Sequence, residues 1–401
     1  MTLASPRLLH GAMVADVLKM RREETSMSDS SHRKVEVLAR HSVAVIEANQ
    51  AATGAYVASP NFPVYRYSWF RDGAFIADAM SRAGRPASAE AFFSWCAGVL
   101  EARVAKIDSL IERHRSGHAI GPDEFLHARY TVDGREVADE WWNFQLDGYG
   151  TWLWALGTHL RRTAGSRLDS YRNGAILSVR YCTEFWREPS YDWWEEHVGH
   201  RHTSTLAALY AGLREAARWE DLPADLRQQA HQVAEEIRRT VRSQGRQDGH
   251  LVKWLGGHAV DASLIACGVP FGLVSPTDPL MSTTIRTIES NLAHSGVHRY
   301  LEDTYYGGGE WPLLAALLGW YYATVGRLEA AHAQLAWVVA HATPDGNLPE
   351  QVPDHLLAPA ERDAWIRRWG PVATPLLWSH AMFLTLALEL GSLRAPLKPK
   401  E

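Results

Sequence analysis

The stretch QLDGYGTWLWALGTHLRRTAGSRLDSYRNGAILSVRYCTEFWREPSYDWWEEHVGHRHTS, residues 145–204, decides the fold. Apolar residues recur with a helical period over 145–163 and over 167–187, and only AGS, at 164–166, separates these two segments. The next connection, 188–202, is several times longer and contains DWWEE, two tryptophans followed by two glutamates. A short connection followed by a long one is the pattern that the rest of the chain repeats.

Helical periodicity dominates from residue 34 onward, and runs with the alternation of strands are short and few. The sequence predicts helices near 34–50, 71–83, 88–115, 145–163, 167–187, 203–218, 223–244, 260–266, 278–294, 310–325, 328–341 and 375–390. Connections after even-numbered helices are short, at 83–86, 164–166, 220–223 and 326–327, and only 267–277 is longer. Connections after odd-numbered helices are all well beyond the usual median of about 4 to 6 residues.

In a set of antiparallel helix pairs, every odd-to-even connection lies at the same end of the bundle. The sequence therefore predicts an all-α fold, an (α/α)6 barrel with one elaborated end, as a single catalytic domain over 33–392. We expect 1–32 to be a flexible N-terminal leader and 393–401 a C-terminal tail. An open helical solenoid is the alternative, but the chain shows no repeat of fixed period.

Composition narrows the class of ligand. The net charge of -5 disfavours nucleic acid and anionic membrane as partners, and no apolar run is long enough for a membrane span. We therefore expect a cytoplasmic protein. Its three scattered cysteines are expected in the core, since they form neither a disulfide framework nor a zinc motif. The 17 tryptophans are unusual, and aromatic faces are good platforms for sugar rings.

The long connections carry the clusters of aromatic and charged residues. They include YRYSWFRDG (65–73), DGHLVKWLGGHAVDAS (248–263) and DGNLPEQVPDH (345–355). Because all long connections are predicted at one end, we expect an active site there.

Two of these clusters also have a simpler structural interpretation. Arg71 and Asp72 stand at a helix start, where they either cap the helix or bind sugar hydroxyls between walls formed by Tyr65 and Trp69. Asp261 most simply caps the short helix that follows it.

The adjacent glutamates Glu195 and Glu196 usually indicate a solvated helix face. Their aromatic neighbours, however, would desolvate a carboxyl group and raise its pKa, as a general acid requires. Hydrolysis of a glycosidic bond needs a second carboxyl group, and Glu350 in the longest connection is the best candidate.

Two further patterns do not indicate a bound metal ion or phosphate group. The histidines His197, His200 and His202 lack the spacing of a helix-borne zinc site, so hydrogen-bonding or capping histidines are favoured over a metal. The glycines at 307–309 match no phosphate-binding motif and favour a flexible turn.

Taken in order, the motifs resemble those of glycoside hydrolase family 15, the glucoamylase family, over about 60 to 390. YRYSWFRD resembles the family's segment that holds the terminal glucose, and WWNFQLDG resembles the segment with an aromatic wall residue. DWWEE resembles the segment with the general acid, and LPEQ resembles the segment with the general base. RYLEDTYYGGGEW resembles a segment that contributes an arginine and a tryptophan to the pocket. The resemblance implies Glu195 as general acid and Glu350 as general base. The substrate-binding residues that we infer are Tyr65, Trp69, Arg71, Asp72, Trp141 (with Trp142 the less certain choice), Trp194, Glu196, Arg299 and Trp311.

The resemblance also implies an (α/α)6 barrel and exo-hydrolysis with inversion, without metal or cofactor. The chain has no room for the additional domains of many members, which favours short oligosaccharides over starch. Its single-domain form resembles that of isomaltose glucohydrolases, so we expect release of β-glucose from α-1,6-linked substrates, and a monomer is plausible. Trehalase or α-1,4 glucoamylase activity, a sugar epimerase working through histidines, and a catalytically silent sugar-binding toroid stay open as alternatives.

Overall fold

The computed structural model describes residues 29–137, 139–163 and 167–397. Its helices are α1 Asp29–Ala48, α2 Phe70–Arg82, α3 Pro86–Glu101, α4 Val104–Arg115, α5 Asp147–Arg162, α6 Arg172–Phe185, α7 Thr203–Ala216, α8 Ala224–Gln244, α9 Ile265–Gly268, α10 Pro279–Leu292, α11 Pro312–Thr324, α12 Leu328–Ala340, α13 Arg362–Trp369 and α14 Leu377–Glu389. Two antiparallel pairs of short strands complete it, β1 Ser68–Trp69 with β2 Arg129–Tyr130 and β3 Arg246–Gln247 with β4 His250–Leu251.

The helices form a closed ring within a ring. Helices α2, α5, α7, α9, α11 and α14 contact one another in that order, and α14 returns to α2. Helices α1, α3, α6, α8, α10 and α12 lie outside them. The (α/α)6 barrel that the connection lengths predicted is confirmed, and the open solenoid is excluded.

The sequence of each helix matches its layer. The inner helix α7 is buried on all sides apart from Arg214 among its fourteen residues. The outer helix α8 buries only one stripe, formed by Leu226, Ala230, Val233, Ala234, Ile237 and Val241. A helix that is apolar all round belongs inside, whereas a helix with a single apolar stripe covers a core from outside.

The inner ring closes tightly where α5 and α7 cross. A Cβ atom at Gly212 would lie 2.3 Å from the carbonyl oxygen of Gly150, and one at Gly150 would lie 2.6 Å from the carbonyl oxygen of Ala208. Only glycine allows the two backbones to approach this closely.

The predicted helix over 88–115 is in fact two helices. Ala102 and Arg103 interrupt it, and the Arg103 side chain donates to the carbonyl of Gly134 and to Glu136 and lies 4.4 Å from the ring of Tyr130. These tertiary contacts outweigh helical continuity. A second departure is α13, which lies in a connection that we predicted without secondary structure; its eight residues are too few for periodicity to reveal.

The ends of the domain also differ from the expectation. Helix α1 begins at Asp29, so the last four residues assigned to the leader are helical. In the predicted tail, Leu393 and Leu397 are buried and the Leu397 amide donates to the carbonyl of Ala83. The rest of the leader, the end of the tail and the connection at 164–166 lie outside the described residues.

Cys96, Cys182 and Cys267 are buried, as expected. Among the helices described, none combines the length and apolarity needed to cross a bilayer.

Candidate active site

A cavity of about 370 Å³ opens at the end of the barrel where the inner helices begin. All eleven residues singled out in the sequence line it: Tyr65, Trp69, Arg71, Asp72, Trp141, Trp194, Glu195, Glu196, Arg299, Trp311 and Glu350. They come from five of the six long connections and the helix starts that follow. The fourth connection, 245–259, contributes no lining residue among those described and instead lies behind the DWWEE turn.

Glu195 is held through one carboxylate oxygen. Its Oε1 accepts hydrogen bonds from Trp69 Nε1 at 2.8 Å, Gln145 Nε2 at 2.9 Å and Trp141 Nε1 at 3.2 Å. Three donors occupy the acceptor sites of this oxygen, so a proton on the carboxyl group would be carried by Oε2. The solvated-face interpretation of Glu195 is therefore wrong, because this carboxylate is bound by cavity walls.

The backbone that presents Glu195 is a tight turn around Asp192. Asp192 Oδ1 accepts from the amides of Trp194 and Glu196, both at 2.9 Å, and the Asp192 amide donates to the carbonyl of Glu196. Glu195 adopts φ of 65° and His197 φ of 56°, a left-handed conformation that non-glycine residues rarely adopt. The turn thus places a strained residue at the cavity.

Glu196 has different partners. Its Oε2 accepts from the Tyr300 hydroxyl at 2.5 Å, and its Oε1 lies 3.6 Å from Arg299 Nη2. The two adjacent glutamates therefore contact separate groups, as expected if they have separate roles.

Glu350 is buried between two tyrosines. Tyr65 Oη donates to Oε1 at 3.0 Å and Tyr305 Oη donates to Oε2 at 3.1 Å, while the two hydroxyls lie 3.0 Å apart. Burial raises the pKa of Glu350 to about 7, although Tyr65, Arg299 and Tyr305 oppose that shift. Burial also raises the pKa values of both phenols well above their usual range, so they remain donors.

The backbone around Glu350 is fixed by its neighbours. The Glu350 amide donates to the carbonyl of Ala373, and Ser379 Oγ in α14 donates to the carbonyl of Pro349. The glycines at 307–309 allow close approach, since a Cβ at Gly309 would lie 2.1 Å from the carbonyl oxygen of Val352. These glycines form a turn, as expected, and its close approach supports the segment that carries Glu350.

Arg71 and Asp72 do not cap α2, whose start has no side-chain cap. Arg71 Nη1 donates to Gln145 Oε1 at 2.8 Å and lies 3.2 Å from Asp147 Oδ2, and Arg71 Nε lies 3.4 Å from Asp72 Oδ2. Burial and the nearby Glu195 raise the pKa of Asp72 to about 6 against the opposing effect of Arg71.

Some buried polar atoms of the cavity have no hydrogen-bond partner in the described part of the protein, and two of them, Arg71 Nε and Asp72 Oδ2, meet each other only as an ion pair at 3.4 Å. Among the described residues, none makes a hydrogen bond with Asp72 Oδ2, Arg71 Nε or Trp311 Nε1. Buried polar groups are nearly always satisfied, so these atoms are suited to bind hydroxyl groups of a ligand.

Arg299 completes the charged part of the wall. Its guanidinium pairs with Asp303 at 2.7 and 2.5 Å and lies 5.3 Å from the ring centroids of both Trp194 and Trp311. The arginine therefore lies against two lining tryptophans, whose ring centroids are themselves 5.5 Å apart.

Of the three histidines after Glu196, His197 lines the cavity, whereas His200 and His202 have structural contacts. The His200 ring stacks on Trp254 at 4.2 Å, and His202 Nε2 donates to the carbonyl of His197 at 3.0 Å. In the part of the chain that the structure describes, no group of three or more His, Cys, Asp or Glu residues is placed to hold a metal ion.

Sequence reasoning missed several residues of the site. Tyr305 lies within a motif that we quoted, so its position could have been noted. Trp365 and Trp369 line the cavity from α13 with a spacing of four, which places them on one helix face. Trp378 lies in the inner helix α14, where the surrounding apolar sequence conceals it. Asp261 does cap the following turn by accepting from the Ser263 amide, but it also accepts from Trp194 Nε1.

Residues 34–357 match the family described as Glycosyl hydrolases family 15. The chain belongs to glycosyl hydrolase family 15. Isomaltose glucohydrolase of Kribbella flavida is 48% identical over 373 residues, which cover 92% of this chain and 97% of that protein. Trehalase of Thermoplasma acidophilum is 26% identical over 308 residues, which cover 72% of this chain and 51% of that protein.

A solved glycosidase variant in complex with glucose superimposes on this family 15 chain with a TM-score of 0.90. It is 47% identical, and the match covers 92% of this chain and 100% of that one. The resemblance that the motifs suggested is confirmed, and the protein is a glycoside hydrolase.

Proposed function

We propose that this family 15 enzyme hydrolyses isomaltose and short α-1,6-linked gluco-oligosaccharides from the non-reducing end, with inversion, releasing β-glucose. The observation that carries the proposal is the pair of carboxyl groups in one cavity, Glu195 bound by indoles and an amide, and Glu350 bound by two phenols. Different surroundings for two carboxyl groups are what separate acid and base roles need.

Glu195 serves as the general acid. Its Oε1 is occupied by three N–H donors, which leaves Oε2 to carry the proton and to face the glycosidic oxygen. Protonation of that oxygen as the bond breaks releases the second sugar as a neutral alcohol.

Glu350 serves as the general base. When ionised, it draws a proton from a water molecule that attacks the anomeric carbon from the opposite face of the ring. Tyr65 and Tyr305 donate to both carboxylate oxygens and so fix their direction. Inversion requires the two carboxyl groups to be about 6.5 to 9.5 Å apart, so that this water fits between them.

The floor of the cavity explains why attack would be confined to a chain end. Trp193 and Trp378 line it, and both rings pack against Phe75 in the barrel core, at 5.8 and 5.2 Å. A sugar chain can therefore enter with its end but cannot pass through. Arg71 and Asp72 lie at this closed side, where they would bind hydroxyls of the terminal glucose.

The preference for isomaltose rests on similarity to relatives. The chain is far more similar to the isomaltose glucohydrolase than to the trehalase, and the glycosidase variant that binds glucose shares its fold at 47% identity. The substrate class, an oligosaccharide, follows from the family. Cytoplasmic location and a monomeric state stay predictions of the sequence.

Initial rates on isomaltose, maltose and trehalose at equal concentration test the proposal. We expect isomaltose to be hydrolysed fastest, with little turnover in Glu195→Gln and Glu350→Gln. Preference for trehalose or maltose would reject the α-1,6 assignment. An epimerised sugar without bond cleavage, or no turnover of any α-glucoside by the parent, would reject the hydrolytic mechanism itself.

A further inference from the structure

A buried lysine lies behind the turn that carries Glu195. Lys253 is 4% exposed, and it is the single lysine buried among the residues that the structure describes. Its Nζ lies 3.1 Å from Asp261 Oδ2 and 3.3 Å from Asp192 Oδ2. Both aspartates are themselves buried.

Each aspartate holds a different part of the turn. Asp192 Oδ1 accepts from the backbone amides of Trp194 and Glu196, on either side of Glu195. Asp261 accepts from the Trp194 indole through both oxygens, at 3.1 and 2.9 Å. The ammonium of Lys253 therefore forms an ion pair with both carboxylates that fix the residue before Glu195 and the residue after it.

A third contact extends to Glu196. The Lys253 ammonium lies 3.7 Å from the centroid of the Tyr300 ring, and the Tyr300 hydroxyl donates to Glu196 Oε2. Lys253 thus contacts three residues that bind the turn, Asp192, Asp261 and Tyr300, yet it does not line the cavity.

The turn needs such support because its backbone is unfavourable. Glu195 and His197 both have left-handed φ values, which persist only where surrounding contacts determine them. Burial lowers the pKa of Lys253, but Asp261 and Asp192 outweigh burial and raise it. Burial likewise favours the neutral form of Asp261, but Lys253 together with hydrogen bonds from Ser263 and Trp194 outweighs burial, so the pKa of Asp261 is lowered.

We propose that Lys253 is a positioning residue for proton donation, which holds Glu195 Oε2 in place through Asp192 and Asp261. The proposal rests on the proposed role of Glu195 as general acid. It differs from a purely structural role because its loss should affect the protonation of the leaving group more than any other step.

The test compares two leaving groups in Lys253→Met. The leaving group of isomaltose is a sugar alkoxide, a strong base that the general acid must protonate as the bond breaks. The leaving group of α-glucosyl fluoride is fluoride, a weak base that needs little help from a general acid. We expect kcat on isomaltose to fall at least tenfold, a much smaller fall on α-glucosyl fluoride, and KM values within a few-fold of the parent. Lys253→Arg, which keeps the charge, should recover part of the loss.

Lys106→Met provides the control, since Lys106 also pairs with a carboxylate, Glu136 at 3.0 Å, but not with the aspartates that hold the turn carrying Glu195. It should keep both rates. Equal losses of Lys253→Met on both substrates, or unchanged rates, would overturn the positioning role. If Lys253→Met does not fold, Asp261→Asn replaces it, with the same selective loss expected and an equal loss contradicting the proposal.

Glu195→Gln, measured on the same two substrates, separates this proposal from the proposed function. If Glu195→Gln also loses the same factor on both, Glu195 is not the acid and the underlying assignment fails. If Glu195→Gln is selective for isomaltose but Lys253→Met is not, only the positioning role fails.

Discussion

The surroundings of Glu195 and Glu350 differ in kind. Glu195 lies on a strained turn, one of its oxygens is bound by N–H groups, and the turn is held from behind by buried charges. Glu350 lies in the connection between α12 and α13, between two phenols, each of its oxygens has one donor, and glycines allow the neighbouring turn to approach closely. The difference teaches how the donors around each carboxyl group in one cavity would separate the two proposed proton-transfer roles.

Removing either carboxyl group should have the largest effect on activity. General acid or base catalysis contributes about 10² to 10⁴ in rate, so we expect Glu195→Gln and Glu350→Gln each to lower kcat on isomaltose by about 10³. Steady-state kinetics on isomaltose measures this. Glu215→Gln is the control, because Glu215 is a buried carboxylate at the opposite end of α7. Near-parental kcat in either cavity variant would remove that residue from the mechanism.

The same Glu350→Gln change should stabilise the fold at alkaline pH. The pKa of Glu350 in the folded protein, about 7, is above the ordinary value of 4.5, so ionisation is less favourable in the folded state than in the unfolded one. The free-energy cost of ionising Glu350 in the folded protein is absent below pH 4.5 and complete above pH 7. Glutamine does not ionise, so above pH 7 the variant should gain on the order of 3 kcal/mol in its free energy of unfolding.

Denaturant unfolding of the parent and Glu350→Gln at pH 4 and pH 8 tests this prediction. The difference between the two proteins should appear at pH 8 and vanish at pH 4. A variant that is less stable than the parent at pH 8 would contradict the raised pKa.

The two phenols should control the acid limb of the rate profile. Glu350 must be ionised to act as base, so kcat/KM should fall as pH decreases through about 7. Tyr65→Phe or Tyr305→Phe removes a donor to the ionised carboxylate, which raises the pKa of Glu350 further. A shift of about one unit would lower kcat/KM at pH 6 about tenfold and leave pH 9 less affected.

The pH dependence of kcat/KM for each tyrosine variant measures that shift. Tyr321→Phe is the control, since its hydroxyl donates to the carbonyl of Pro276 away from the cavity. An acid limb that moves to lower pH would show that these hydroxyls do not stabilise the ionised base.

The smallest effect is expected from Trp141→Phe. It removes the longest of the three hydrogen bonds to Glu195 Oε1, at 3.2 Å, and leaves the donors of Trp69 and Gln145. A neutral hydrogen bond contributes about 0.5 to 1.5 kcal/mol, so kcat on isomaltose should fall less than about tenfold. The acid limb of kcat/KM should not move, because Glu350 has no contact with this indole. A shifted acid limb would mean that the two carboxyl groups are not independently held.

The barrel could be predicted because the connection lengths indicate which helix ends lie at the same end of the bundle. This inference does not depend on the exact bounds of the helices. The cavity residues were predictable where they stand in contiguous motifs, as Trp194, Glu195 and Glu196 do. Roles that depend on contacts between distant segments were not. In the sequence, nothing distinguishes Lys253 from an ordinary loop lysine, and only the fold brings it close to Asp192 and Asp261.

Local rules failed where tertiary contacts are stronger than local preference. The contacts of Arg103 interrupt a helix that the apolar pattern continues. Helix α13 is too short to detect by periodicity, and Trp365 within it packs on Tyr305 at 5.0 Å.

The anomeric form of the first glucose released from isomaltose tests the central claim most directly. Proton NMR spectra recorded in the first minutes, before mutarotation, distinguish the two anomers. The reducing-end glucose of isomaltose leaves with the anomeric mixture that it already has, so only the glucose from the non-reducing end reports the stereochemistry. If Glu195 donates the proton and Glu350 activates water on the opposite face, β-glucose appears first in excess of that mixture, and the excess decays only by mutarotation. An initial excess of α-glucose over that mixture would contradict the assignment of Glu350 as a base acting through water.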